Sequence, residues 1–335
     1  MTDDQPRPRK VLMLGLGGGQ ISNYLHRNFA GLEIDALECE ALPRLVHEGP
    51  ALERERFRAY RAAGVTRLSV GVQSFDDAML ARLGRVHDAR QARAAVEEAA
   101  AAFDTFNLDL MYALPGQTLA MLDADLDAAL SYAPPHLSVY HLTIEPNTAF
   151  AVQRPQALPD DDLASDMLDR IAERTAAAGL VRYEVSAFAR EGHRCAHNLN
   201  YWRFGDYLGI GAGAHGKLSF PHRVLRQVRW RDPATYLRQA RAGRAVSNEH
   251  EVARADLPFE FMMNALRLVE GFELPRFAER TGLPPSAIAD ALARAEQRGL
   301  LVREGEREGE RVRASARGFD FLSDLQAIFL PPARR

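Results

Sequence analysis

Apolar and polar positions along this chain follow two alternating periods. KVLMLGLGGG is an apolar run closed by glycines, ISNYLHRNF places Ile21, Leu25 and Phe29 at helical spacing, and EIDALECE alternates as a second strand. From Pro50 the same alternation continues. Helix ALERERFRAYRAAG precedes strand TRLSVGVQ, helix RQARAAVEEAAAA precedes strand FNLDLMYALPG, and helix LAMLDADLDAALSYA precedes strand HLSVYHLTIEP. A helix over DDDLASDMLDRIAERTAAAG and a strand YEVSAFA complete the series. Strands separated by helices of about 10 to 15 residues predict an α/β fold with a parallel sheet, open or closed into a barrel. Asp160 to Asp162 provide N-cap oxygens, and Gly179 stands where a left-handed residue ends the helix.

After about residue 217 the pattern changes. Helices are expected at Asp256 to Leu268, Leu274 to Thr281 and Pro285 to Arg298, then two short strands, LLVRE and RVRAS, and a last helix from Arg317 to Phe329. Helices followed by a hairpin suggest a winged-helix shape. Its third helix balances Arg294 and Arg298 with Asp290 and Glu296, so the wing reads as structural or partner-docking rather than DNA-reading. The expected organisation is a disordered lead-in over 1–9, a βαβ unit over 10–48, a barrel-type domain over 49–217 and a carboxy-terminal domain over 218–335.

Charge narrows the partners. Lys+Arg 42 against Asp+Glu 45 gives a net charge of -3 over 335 residues, which leaves no excess to neutralise a phosphate backbone. Nucleic acid is therefore not expected as the main partner. No apolar run approaches the roughly 20 residues of a membrane span, and the polar start is not a signal peptide, so a cytoplasmic location is expected. Only two cysteines occur, Cys39 and Cys195, too few for a disulfide framework or a thiolate-only metal centre.

In a parallel α/β array ligands meet the carboxyl ends of the strands. Polar residues expected there are Gly17, Gly18, Gly19, Glu38, Glu40, Gln73, His141, Thr143, Glu145, Glu184 and Ser186. Asp109, inside the fourth strand between Leu108 and Leu110, needs a partner that offsets its desolvation, either a core arginine or a ligand. GLGGG before a helix, with Glu38 or Glu40 about 20 residues on, suits a nucleoside-bearing ligand. This segment resembles the first βαβ of class I methyltransferases and polyamine synthases. A second cluster, REGHRCAHNLNYWRFGDYLGIGAGAHG, sets His193, Cys195, His197, Tyr201 and Trp202 close together. Aromatic rings beside histidines suit haem, packing of the rings under a loop is the plain alternative, and the spacing is poor for zinc.

From Glu53 to Leu330 the chain resembles the haem chaperone branch of the radical S-adenosylmethionine family, related to oxygen-independent coproporphyrinogen III oxidase. The carrying segments include RFRAYRAAGVTRLSVGVQSFD, LGRVHD, NLDLMYALPGQT, HLSVYHLTIEPNT, YEVSAFAR, HNLNYWRFGDYLGIGAGAH and LPFEFMMNALRL. The resemblance implies a partial (β/α)6 barrel with a carboxy-terminal winged-helix-like domain. It implies S-adenosylmethionine contacts at Gly18, Gly19, Glu38, Gln73, Arg85 and Asp109, with Thr143 and His215 as further contacts. The HNxxYW motif implied to take haem is present as His197, Asn198, Tyr201 and Trp202, with His197 the candidate iron ligand. Haem and haem-accepting proteins are the implied partners.

The family pattern also includes a CxxxCxxC loop whose three thiolates hold a [4Fe-4S] cluster. That motif does not occur in this sequence, and Gln20 stands where the family's GGGTP has threonine. The chain is thus expected to lack the first strand of the barrel and the radical chemistry while keeping haem binding. An active coproporphyrinogen III oxidase-type enzyme and a methyl or aminopropyl transferase are the alternatives.

Overall fold

The computed structural model describes residues 10–13, 33–39, 50–144, 149–305 and 310–331. The expected lead-in, Gly17 to Gln20, the helix from Ile21 to Phe29, Glu40 and Glu145 lie outside these residues, and Glu38 is described by its backbone alone. The chain divides into two units, one reaching Arg182 and adding Ser186–Arg194, the other formed by Tyr183–Val185 and Cys195–Arg335.

The first unit is built on β1 (Lys10–Met13), β2 (Glu33–Cys39), α1 (Pro50–Ala62), β3 (Arg67–Gln73), α2 (Asp77–Arg82), α3 (Ala89–Ala102), β4 (Thr105–Tyr112), α4 (Leu119–Ser131), β5 (His136–His141), α5 (Ala149–Val152), α6 (Asp161–Ala177), β6 (Val181–Arg182) and β7 (Ala187–Ala189). Its sheet runs β1-β2-β3-β4-β5-β7-β6 among the described residues, so it is open and β1 is an edge. β1 to β5 are parallel. The last two strands depart from the expected parallel order, because β7 pairs antiparallel with β5 and β6 antiparallel with β7.

Local sequence explains the helix ends. Asp88 caps α3 in a capping box with Gln91, Thr118 caps α4 through Met121 N, and Asp160 caps α6 through Leu163 N. Gly179 is left-handed just beyond α6. One face of the sheet, with Leu68, Val70, Val72, Leu108, Leu110, Leu137 and Val139, packs under Val96 of α3, Leu126 of α4 and Ile171 of α6. Full burial of each large side chain stabilises by roughly 1.5–3 kcal/mol, so this layer fixes which face of the sheet points away from the helices.

The second unit contains α7 (Ala196–Trp202), β8 (His215–Phe220), β9 (Arg223–Arg229), α8 (Pro233–Arg241), β10 (Val246–Glu251), α9 (Leu257–Ala265), β11 (Phe272–Glu273), α10 (Leu274–Thr281), α11 (Ala289–Gln297), β12 (Leu301–Glu304), β13 (Arg311–Ala314), α12 (Ala316–Asp320) and α13 (Leu322–Ala327). Two antiparallel sheets form, β10-β9-β8 and β11-β13-β12. Phe261 anchors the core, edge-on to Phe204, Phe272 and Phe277 at 5.7, 5.0 and 5.3 Å. Because Phe204 packs there, the division falls at Cys195 instead of residue 217.

Two further expectations change. Tyr183–Val185 leaves the predicted sixth strand, and Glu184 bridges Leu268 in the second unit, so Glu184 and Ser186 are not neighbours on a strand of the parallel sheet. The predicted final helix splits at Phe321, whose φ -106 and ψ 45 are not helical. Among the described residues no helix is long and apolar enough to cross a membrane.

Gly271 joins α9 to β11 with φ 64, and a Cβ there would fall 2.0 Å from the Val312 carbonyl oxygen. Gly271→Ala is expected to lower the stability of the full chain by about 2 kcal/mol, combining left-handed strain with displacement of β13. Urea denaturation measures this, and a change within about 0.5 kcal/mol would contradict the close approach.

Candidate functional site

The face of the first sheet that points away from the helices is polar. Arg67 and Ser69 on β3, Asn107 and Asp109 on β4, and His136 and Ser138 on β5 alternate with the apolar residues of the core. Parallel strands covered on both sides read as continuous apolar runs, so this alternation marks a second, polar face that is itself largely buried.

Asn107 organises that face and is itself buried. Its Nδ2 donates to Ser69 Oγ at 2.7 Å and Asp109 Oδ1 at 2.8 Å, while its Oδ1 accepts from Ser138 Oγ at 3.1 Å and lies 2.6 Å from His136 Nδ1. With Asn107 oriented this way, His136 Nδ1 carries the proton. Ser69 Oγ also donates to Asp109 Oδ2 at 2.8 Å. Burial pushes the Asp109 carboxyl above its ordinary range, and the hydrogen bonds from Ser69, Asn107 and Ser138 together with the charge of Arg67 only partly offset this. Burial, reinforced by Arg67 and His193, holds His136 well below its ordinary value and keeps it neutral. Of the two partners expected for Asp109, a core arginine or a ligand, Arg67 contributes only through its charge, while serine and asparagine make the contacts. Arg67 itself donates to the His193 carbonyl at 3.3 Å.

Two non-glycine residues at carboxyl ends of strands are left-handed, Gln73 at the end of β3 with φ 68 and Ala113 just after β4 with φ 57. Strain of this kind concentrates where ligands are held. The turn after Gln73 is fixed by Asp125 of α4, which accepts from Ser74 Oγ at 2.8 Å and Phe75 N at 2.6 Å. Gln73 and Asp109 lie on adjacent strands, Glu38 is in register with Ser69, and Thr143 is exposed just beyond β5. Arg85 is exposed after α2, beside His87, whose Nε2 lies 3.1 Å from the Val72 carbonyl oxygen. His141 stands edge-on to Tyr112 at 5.2 Å. His215 belongs to the second unit, where it opens β8 in register with Val228.

The second cluster forms on α7, a helix where a loop was the plain alternative. His197 and Tyr201, one turn apart, have ring centroids 4.6 Å apart, and Tyr201 lies 4.4 Å from Tyr207 and 6.4 Å from Trp202. No residue of α7 is buried. Asn198 Nδ2 donates to Tyr183 Oη at 3.4 Å, and Cys195 N donates to the same oxygen at 3.3 Å. Arg267 covers Trp202 at 4.2 Å and donates to Glu184 at 3.3 Å. Arg226 donates to Tyr207 Oη at 2.9 Å and pairs with Glu260 at 2.5 Å. Trp202 Nε1 is buried with no hydrogen-bond partner among the described residues. Aromatic faces, an imidazole and an unused donor on one half-exposed helix fit a flat apolar ligand with a polar rim.

A [4Fe-4S] cluster does not fit the donors present. Cys39 ends β2 in the first unit and Cys195 is buried in the second, two thiols where three thiolates are needed. Among the described residues no group of three or more His, Cys, Asp or Glu side chains could hold a metal ion.

Sequence comparison matches residues 10–129 to the Radical SAM superfamily and residues 252–321 to the HemN C-terminal domain. The chain is 41% identical over 335 residues to the heme chaperone HemW of Haemophilus influenzae, covering 98% of this chain and 85% of that protein. It is 43% identical over 281 residues to heme chaperone HemW of Escherichia coli, covering 83% of this chain and 72% of that protein. Among solved structures, coproporphyrinogen III oxidase (HemN) from Escherichia coli, a radical SAM enzyme, superposes with a TM-score of 0.72 at 22% identity over 96% of this chain and 77% of that chain, which shows a shared fold.

Proposed function

Because the chain belongs to the haem chaperone family of radical S-adenosylmethionine proteins, we propose that it binds haem and passes it to haem-accepting proteins. The observation that carries this reading is the 41% identity to a heme chaperone over 98% of the chain. In this reading haem is cargo taken by α7. His197 supplies the axial nitrogen, Tyr201 and Trp202 give flat apolar contact, and Asn198 holds the helix through Tyr183.

The polar face of the first unit suits S-adenosylmethionine, with Asp109 and Gln73 at its centre and Glu38, Arg85 and Thr143 around them. Gly18 and Gly19 belong to the set that the family pattern implies. A [4Fe-4S] cluster would supply an electron for reductive cleavage of the sulfonium, but the cysteines of this sequence do not hold one, so no radical step is assigned. The sheet is read as part of a radical S-adenosylmethionine barrel, and α9 to α11 with β11 to β13 as a winged-helix-like domain that docks a partner.

An oxidase of the coproporphyrinogen type is favoured only by the shared fold, and it needs the thiolates that are missing. The transferase reading loses its basis, since the Radical SAM match begins at Lys10 and takes in β1 and β2.

Haem titration followed by the Soret band tests the proposal. The chain is expected to shift the band saturably, and His197→Ala to weaken binding by about tenfold or more. An unchanged titration in the variant would remove His197 as the ligand, and no saturable shift in the parent would remove the function.

A further inference from the structure

Apart from the polar face, the first unit carries a cleft of about 590 Å³. Its walls are Arg82 at the end of α2, Pro115 and Gly116 between β4 and α4, and the segment from Phe150 to Ala157 after β5. The volume lies within the range of small-molecule sites, roughly 300–1,000 Å³. Phe150 and the prolines make the walls apolar. Among the described residues the charged groups of the lining are two guanidiniums, Arg82 and Arg154, and none is acidic.

Some arginines of this unit are balanced by carboxylates. Arg170 and Arg174 pair with Asp123, and Arg174 also with Asp127. Among the described residues neither Arg82 nor Arg154 has a carboxylate partner. Arg82 is nonetheless held in place, because its Nη1 donates to the Pro115 carbonyl at 2.6 Å and lies 4.0 Å from Met79 Sδ. A guanidinium has five N–H donors, so most remain for a ligand in a fixed planar fork.

The backbone keeps that fork accessible. Gly116 is left-handed, φ 71, and a Cβ there would fall 2.8 Å from Arg82 Nη1. Its amide donates to the Ala157 carbonyl at 2.6 Å, which ties the two walls together. Ala157 is itself a non-glycine residue with φ 57, a conformation that costs about 1–3 kcal/mol and is retained where surrounding structure enforces it.

We propose that this cleft binds a small organic dianion: two carboxylates or phosphates carried on an apolar body, one for each guanidinium, with the body against Phe150 and the prolines. Under the haem reading the source is the propionate pair of a tetrapyrrole, and the alternative source of the same chemistry is a nucleotide phosphate. The first source rests on the haem proposal, so the probe is iron-free protoporphyrin IX, which needs no axial histidine.

The full chain is titrated with protoporphyrin IX, with its dimethyl ester and, separately, with ATP, in the parent and in Arg82→Gln/Arg154→Gln. Protoporphyrin binding weakened about tenfold or more in the double variant, with little binding of the ester to either protein, establishes the carboxylate source. ATP binding lost in the double variant, without a change for protoporphyrin, establishes the phosphate source. Equal binding of both probes to parent and variant, or binding of neither to the parent, overturns the site. Arg154→Gln alone guards against misfolding, because Arg154 is exposed and makes no hydrogen bond among the described residues. Protoporphyrin binding that persists in His197→Ala after the Soret shift is lost separates this cleft from the haem site.

Discussion

Asn107→Leu will lower the stability of the protein by about 3–5 kcal/mol, more than any single loss on the polar face should. Asn107 uses both N–H groups and both lone pairs of its oxygen, on Ser69, Asp109, Ser138 and His136. Leucine fills much of the volume but leaves Asp109 and His136 each short of a partner. Each hydrogen bond lost at a buried group costs roughly 1 kcal/mol, so the four lost here account for the effect. Ser138→Ala removes a single donated proton, shared between Asp109 and an Asn107 oxygen that keeps His136, and about 1 kcal/mol is expected. Chemical denaturation of the three proteins decides the matter. A loss near 1 kcal/mol for Asn107→Leu would mean that water replaces the network and that the face is not organised by this residue.

This network shows how much the sequence made visible. Asp109 stands out because a carboxylate between leucines in a strand needs an explanation. Ser69, Asn107, His136 and Ser138 carry the same signal collectively, since they alternate with leucine and valine in strands that helices oblige to be parallel. That alternation was present in TRLSVGVQ, FNLDLMY and HLSVYH, and it locates the face that one carboxylate only hints at.

Other features were not readable locally. Tyr183–Val185 reads as strand because its residues suit one, yet Glu184 finds its partner at Leu268, and pairing at that distance leaves no mark in a short window. The β8-β9-β10 sheet leaves little trace in the sequence, because β10, VSNEHE, is almost wholly exposed and has no apolar face to reveal a period of two. The residues of HNLNYW stand out in the sequence, but their geometry does not. Only the helix of Ala196–Trp202 brings His197 and Tyr201 together, at the one-turn spacing the motif contains.

Asp125→Asn is expected to stabilise the protein by about 3 kcal/mol near pH 7.5 and to have almost no effect near pH 4. Burial raises the Asp125 carboxyl from 3.8 to about 6. The Phe75 amide, the Ser74 hydroxyl and Arg93 oppose the rise, and Asp76 adds to it. Arg93 lies 4.9 Å from the Phe75 ring centroid, so its charge faces the same turn. A raised carboxyl makes the folded chain bind its proton more tightly than the unfolded chain does. The stabilisation from that proton is therefore complete below about pH 3.8 and is lost as pH rises through about 6. Each unit of difference corresponds to roughly 1.4 kcal/mol, which gives the expected size. Asparagine mimics the protonated acid, with its oxygen accepting from Phe75 N and its amide donating to Ser74 Oγ, so the turn after Gln73 keeps its shape without a buried charge. Denaturation across this pH range should show a flatter profile for the variant. Parallel profiles for variant and parent would mean that Asp125 stays ionised in the fold, and its two hydrogen bonds to the turn would then outweigh its desolvation.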